Sequence, residues 1–156
     1  MKLALRHTLP PSASTLHDVS AFVIETRLVS KFAHGGVVIG NTLYHSNASN
    51  GVHAEPGADL SGFLLIDLGD AHDARALALF EAVKGSRYDF FSLVAFVFPG
   101  FRDSRRYYCF ELCYLLMTGR NPAERVTCET LILMALQMGG KLASPLPNIK
   151  STEGAV

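Results

Sequence analysis

The chain has 156 residues, which is long enough for one domain with its own hydrophobic core. Fourteen basic and fourteen acidic side chains cancel, and no basic run is present, so the composition argues against nucleic-acid binding. Hydrophobic residues make up 49% of the sequence. This fraction is typical of a globular protein and excludes a disordered chain.

The sequence contains no recognisable targeting segment or membrane span. Arg6 and His7 interrupt the first apolar run before a signal peptide could form. The longest apolar run, residues 90–98, is far shorter than the ~20 residues needed to cross a bilayer, so we expect a buried helix there. Three cysteines leave one thiol unpaired, which favours a reducing compartment. We therefore expect a cytoplasmic protein, or one exported by a phage particle or a dedicated secretion route.

The first half of the chain has the pattern of an antiparallel sheet. Gly40-Asn41 separates two apolar runs, as in a tight hairpin. The predicted strands are residues 19–25, 36–39, 42–45, 52–55 and 62–67.

The second half has the pattern of helices. We expect one from Asp70 or His72-Asp73 to Lys84, one over residues 88–98, one over about 105–118, and one from Asn121-Pro122 to about Met138. The predicted fold class is α+β, an antiparallel sheet packed against helices. It forms a single domain over residues 1–156, with residues 1–15 and 141–156 frayed.

Cys109 is the candidate nucleophile. It lies in the opening turns of a predicted helix, where unpaired amides and the helix dipole favour a thiolate. Leu112, Cys113 and Leu116 continue from it at helical spacing, so a buried core thiol is the alternative interpretation. Cys113 and Cys128 are expected to be structural thiols, with Cys128 inside the last helix.

His34 and His45 are the candidate base and orienting group. The hairpin at Gly40-Asn41 brings their strands side by side, and the small residues Gly35-Gly36 leave room for a substrate or a helix. An exposed histidine at the edge of a loop is the alternative for His34.

The histidines and cysteines show no recognised zinc spacing and no Cys-x-x-Cys, so we expect no metal and no other cofactor. His53 and Glu55 are expected on an exposed strand face.

Residues 34–41, His45, Tyr88-Asp89 and residues 108–112 together resemble the NlpC-type papain-like cysteine peptidases, in the circularly permuted branch where histidine precedes cysteine. The resemblance covers residues 19–118. It implies a permuted papain-like fold, with Cys109 as nucleophile, His34 as base and His45 as the orienting group. It also implies that the Cys109 amide holds the oxyanion.

Two positions differ from the family pattern. Phe110 follows the cysteine where a small residue is usual, and Gly35 follows the histidine where a branched apolar residue is usual.

The resemblance implies a cysteine peptidase or amidase that cleaves an amide or isopeptide bond through a thioester. Its partner would be a peptide or acyl-amide, such as a peptidoglycan stem peptide, with Tyr107, Tyr108 and Glu111 binding the substrate. One alternative is an acyl or lipid-thioester hydrolase or transferase, suggested by residues 90–98. The other is an inactive structural module, perhaps encoded by a prophage.

Overall fold

The computed structural model describes residues 1–7, 32–89, 107–123 and 126–143. These residues form an α+β structure with six strands and three helices, which confirms the predicted fold class at this level. Among them, no helix is long and apolar enough to cross a membrane. The strand predicted over 19–25 and the helical segment over 90–98 lie outside the described residues.

The strands form one antiparallel sheet with the order β4-β3-β2-β1-β5-β6. Their bounds are β1 Lys2–His7, β2 Phe32–Ile39, β3 Thr42–Asn47, β4 Gly51–Pro56, β5 Phe63–Asp67 and β6 Lys141–Leu142.

The predicted hairpin at Gly40-Asn41 is present. Ile39 pairs with Thr42, and Gly40 has a φ of 60°, a backbone conformation that glycine adopts without a steric penalty. The hairpin fixes the register that sets His45 opposite Gly36.

The prediction that both ends of the chain fray is wrong for their described parts. Residues 2–7 form β1, which lies between β2 and β5, and Leu3 and Leu5 are completely buried. Lys141 and Leu142 form β6, which pairs with Asp67 and Ile66. Pairing on both sides and burial of the alternating apolar residues stabilise β1 by more than the conformational entropy that a frayed end would keep.

The helices are α1 Asp73–Val83, α2 Cys109–Thr118 and α3 Cys128–Gln137. Gly85 and Gly119 follow the first two with positive φ, as predicted. Tyr88 and Asp89 are not helical. The last helix begins at Cys128 and not near Asn121, because Thr127 caps it by accepting a 3.3 Å hydrogen bond from the Thr130 amide.

The two faces of the sheet have different environments. The helices cover one face, where Tyr44 of β3 contacts Phe80 of α1 with ring centroids 4.7 Å apart. The sheet contributes Leu3, Leu5, Val37, Leu64 and Ile66 to this core. A second, smaller cluster, Ala4, Val38, Leu43 and Phe63, lies on the opposite face.

Two adjacent glycines in β2 show which side chains share a face. A Cβ on Gly35 would lie 3.0 Å from two ring atoms of Phe110, so Gly35 faces α2. A Cβ on Gly36 would meet Leu43 and the Cβ of His45, so Gly36 faces the other side. His45 therefore lies on the sheet face away from α2.

Candidate functional site

The start of α2 is anchored to the sheet by Tyr107. Its carbonyl accepts a 2.7 Å hydrogen bond from the buried hydroxyl of Ser46 in β3. Its amide donates a 3.3 Å bond to the carbonyl of Arg87. Tyr108 follows in an extended conformation, so the helix begins at Cys109. These contacts fix the position of the start of α2, and so of Cys109, relative to β3.

Cys109 is the first residue of α2 and is 1% exposed. The side chain of Tyr108 does not cap the helix. The backbone amides of Gly35, Phe110 and Cys109 itself lie near the sulfur and lower the pKa of the thiol.

The proximity to Gly35 locates the thiol at the backbone of β2, one residue from His34 in sequence. The ring of His34 itself lies with His45 on the sheet face away from α2. The pairing of β2 with β3 ends at Gly36 and His45, so Gly35 lies one residue beyond the last pair. The cysteine and histidine segments, which are 75 positions apart in sequence, meet at this end of the hairpin.

Burial raises the pKa of the Cys109 thiol from its ordinary value of 9.0 to about 12, and the three amides oppose this only in part. The nearby Glu111 carboxyl raises the pKa further. The thiol is therefore protonated at neutral pH, and an isolated thiolate is not stable at this site.

His34 and His45 form a hydrogen-bonded pair. His34 Nε2 lies 2.8 Å from His45 Nδ1, and the ring centroids are 5.1 Å apart in an edge arrangement. His45 is 5% exposed. Burial, followed by the neighbouring His34 and His53, lowers the pKa of His45 to about 3, so this ring is neutral at physiological pH.

Two further residues extend the pair along β4. His53 lies directly opposite His45, with ring centroids 4.2 Å apart. Glu55 Oε2 lies 3.3 Å from His45 Nε2. That distance is within ion-pair range, but the angle does not make a hydrogen bond, so Nε2 has no hydrogen-bond partner among the residues that the structure describes.

The carboxylate indicates which tautomer His45 adopts. A negative charge beside Nε2 favours a proton on that nitrogen. Nδ1 of His45 then accepts a hydrogen bond from His34 Nε2, and the lone pair of His34 lies on Nδ1. This arrangement gives His34 the form that a general base requires.

The three residues predicted to bind substrate are all buried. Tyr107 donates a 3.1 Å hydrogen bond to the side chain of Asn121, and Tyr108 donates one to the carbonyl of Val126. Glu111 is 5% exposed. The two hydroxyl contacts tie α2 to the segment before α3, and the substrate-binding role of these residues stays a prediction.

Cys113 and Cys128 are both buried and unpaired by disulfides. Burial raises the pKa of Cys113 well above its ordinary value. Cys128 is the first residue of α3 and not an interior one, and its thiol donates a 3.0 Å hydrogen bond to the Glu129 carboxylate.

The sequence predicts His53 and Glu55 on an exposed strand face. The structure shows that His53 is half-buried and that both residues adjoin His45. Their alternation in β4 is the sequence signal that both face one side of the sheet.

No protein-family model matches the chain, and no curated protein is significantly similar to it.

Proposed function

We propose that this protein is a cysteine hydrolase of the permuted NlpC-type, papain-like class, which cleaves an amide or isopeptide bond. The observation that supports the proposal is the proximity of the Gly35 amide to the Cys109 sulfur, which brings the first residue of α2 to the end of β2 that carries His34. The His34 ring lies on the other face of the sheet, so in this proposal the thiol reaches it past the point where the β2–β3 pairing ends. The hydrogen bond from His34 to His45 supplies the orienting contact that a catalytic triad requires.

In this proposal the Cys109 sulfur attacks the carbonyl carbon while its proton passes to His34 Nδ1. The Cys109 amide stabilises the oxyanion. The C–N bond then breaks as His34 returns the proton to the leaving amine, and a thioester remains on Cys109. Water attacks the thioester, His34 accepts a proton from it, and the acid and the free thiol are released.

The raised pKa of Cys109 determines how this base acts. With a pKa of about 12, the thiol carries its proton until attack begins. His34 must therefore remove the proton during bond formation, as a general base, and does not form a stable thiolate and imidazolium pair beforehand.

A peptide amide, such as that of a peptidoglycan stem peptide, is the proposed substrate class. The acyl or lipid-thioester alternative depended on residues 90–98, which lie outside the described part of the chain. The second candidate is an inactive module, and the observation that favours it is the 1% exposure of Cys109.

Alkylation of the cysteines by iodoacetamide, followed by peptide mass spectrometry, tests the proposal. Cys113 is the internal control, because it lies one turn further along α2 and is also completely buried with a raised pKa. We expect Cys109 to react faster than Cys113 between pH 7 and pH 8. His34→Ala should reduce the Cys109 rate by at least tenfold, because a positioned base contributes about 10²–10⁴.

Equal alkylation of Cys109 and Cys113 in the unmodified protein would support the inactive module and reject the hydrolase. If Cys109 is selectively reactive, a screen of muropeptides against fatty-acyl esters distinguishes the two substrate classes. Cys109→Ala must then abolish turnover while the circular dichroism spectrum stays unchanged.

A further inference from the structure

His45, His53 and Glu55 form a compact group of potential metal ligands on the sheet face away from α2. One nitrogen from each ring and one carboxylate oxygen all lie within 4.8 Å of one another. The group is built by the register of β3 and β4, which sets His45 opposite His53. Glu55 follows two positions later on the same face.

We propose that these three residues bind a divalent transition-metal ion of the Zn²⁺ type. The distance of 3.3 Å between His45 Nε2 and Glu55 Oε2 is the first reason. Two ligands of a tetrahedral zinc ion with bonds of about 2.0–2.1 Å are about 3.3–3.4 Å apart. This pair of ligands already has the separation that the ion requires.

The second reason is the state of His45 Nε2. This atom is buried and has no hydrogen-bond partner in the described part of the chain. Buried polar atoms in folded proteins are nearly always satisfied by protein groups, water or an ion. A metal ion between His45 and Glu55 would satisfy this nitrogen.

The third reason is the orientation of His53. Its Nδ1 donates a 2.9 Å hydrogen bond to the carbonyl of Gly51, which leaves the lone pair on Nε2. A backbone carbonyl that holds the far nitrogen is the usual outer contact of a metal-binding histidine. The amide nitrogen of Asn47 lies 3.4 Å from Nε2, a long contact that a metal ion would replace.

The ligand types select the ion. Two imidazoles and one carboxylate suit Zn²⁺ and similar ions, whereas Ca²⁺ and Mg²⁺ prefer oxygen ligands alone. The Glu55 side chain is 53% exposed, so the ion can reach the site from solvent. Three protein ligands leave a fourth position for water or another small ligand.

Titration of the metal-free protein with Zn²⁺ by isothermal calorimetry tests this site, with Co²⁺ absorption as a second readout of the ligand geometry. We expect one ion per chain. His53→Ala and Glu55→Gln should each weaken zinc binding by at least about tenfold. Loss of a group that only hydrogen-bonds to a metal ligand already lowers metal affinity by about that factor, and loss of a ligand should cost no less. Glu55→Gln is close to isosteric, so its effect does not depend on a change in folding.

His72→Ala is the matched control, because His72 lies before α1 and is not part of the group. It should leave zinc affinity unchanged. Cys109→Ala should also bind Zn²⁺ normally, so the metal site can exist whether or not the proposed hydrolase activity does. Absence of binding, or binding that survives both His53→Ala and Glu55→Gln, would overturn the proposal.

Discussion

Cys109 experiences two opposing influences at the start of α2. Burial favours the neutral thiol, while three amides favour negative charge on the sulfur, and burial is the larger of the two. A helix N-terminus therefore does not by itself make a cysteine acidic, because the same packing that presents the amides also removes water.

The raised pKa predicts a loss of stability at alkaline pH. Unfolding lets the thiol ionise at its ordinary pKa of 9.0, while the folded value is about 12. The stabilisation is therefore complete below pH 9 and is lost as the pH rises toward 12, by at most about 1.4 kcal/mol per pH unit. Cys109→Ala should reduce this slope between pH 9 and pH 10, measured by urea unfolding.

The groups around Cys109 define the useful pH window. Cys113 has its own raised pKa and will keep part of the slope in the variant. Burial also raises the pKa values of Tyr88 and Tyr108, but these have an ordinary value of 10.0 and contribute at higher pH. An unchanged slope would show that Cys109 is not the buried acid described above.

The sequence was sufficient to bring Cys109, His34 and His45 into one hypothesis, because a tight hairpin and a helix start can be recognised locally. It was not sufficient to add His53 and Glu55. Their position depends on the register between β3 and β4, and a shift of one residue would turn both to the other face.

At the scale of elements, Phe110 and Gly35, the residues that follow Cys109 and His34, lie in direct contact. Phe110 is completely buried and its ring lies over Gly35, where a Cβ would be 3.0 Å away. A large residue after the cysteine is therefore accommodated by the absence of a side chain after the histidine.

A double-mutant cycle tests this compensation. Gly35→Ala should destabilise the protein by about 1–3 kcal/mol through overpacking against Phe110. In a Phe110→Leu background the same change should be close to neutral, because the ring atoms are gone, so a coupling of about 0.5–3 kcal/mol is expected. Chemical unfolding of the four proteins measures it, and equal effects of Gly35→Ala in both backgrounds would contradict the compensation.

Strands β3, β4 and β5 were predicted more closely than the starts of α2 and α3. Turn residues such as Gly40-Asn41 allow few backbone conformations, so they fix strand ends locally. Helix starts have several competing signals, and Thr127 was chosen over Asn121 as the cap of α3 because its side chain reaches the Thr130 amide.

At the scale of the whole molecule, the sheet depends on its first strand. β1 is hydrogen-bonded to β2 on one side and to β5 on the other, so it joins the histidine-bearing hairpin to the strands that follow it. A sequence near a chain end gives no signal of such a position, because pairing with two distant strands is a property of the assembled sheet.

Leu3→Ala is therefore expected to destabilise the fold by about 2–5 kcal/mol, the usual effect of truncating a fully buried leucine. Leu133 on α3 is 61% exposed and is the matched control, and Leu133→Ala should change stability by no more than about 0.5 kcal/mol. Urea unfolding of both variants measures the difference. A similar loss in the two would mean that β1 is not held between its neighbours.

The hydrogen bond between His34 and His45 contains one proton, and its direction has a consequence for the two proposals together. Zinc on His45 Nε2 requires the lone pair there, so the proton moves to Nδ1 and the bond reverses. His34 then accepts at Nε2, holds its own proton on Nδ1, and has no lone pair for a thiol. Under the two proposals together, zinc binding beside Glu55 would transfer one proton along the two rings to His34 Nδ1, with no displacement of the backbone. Zinc would therefore inhibit the proposed hydrolase.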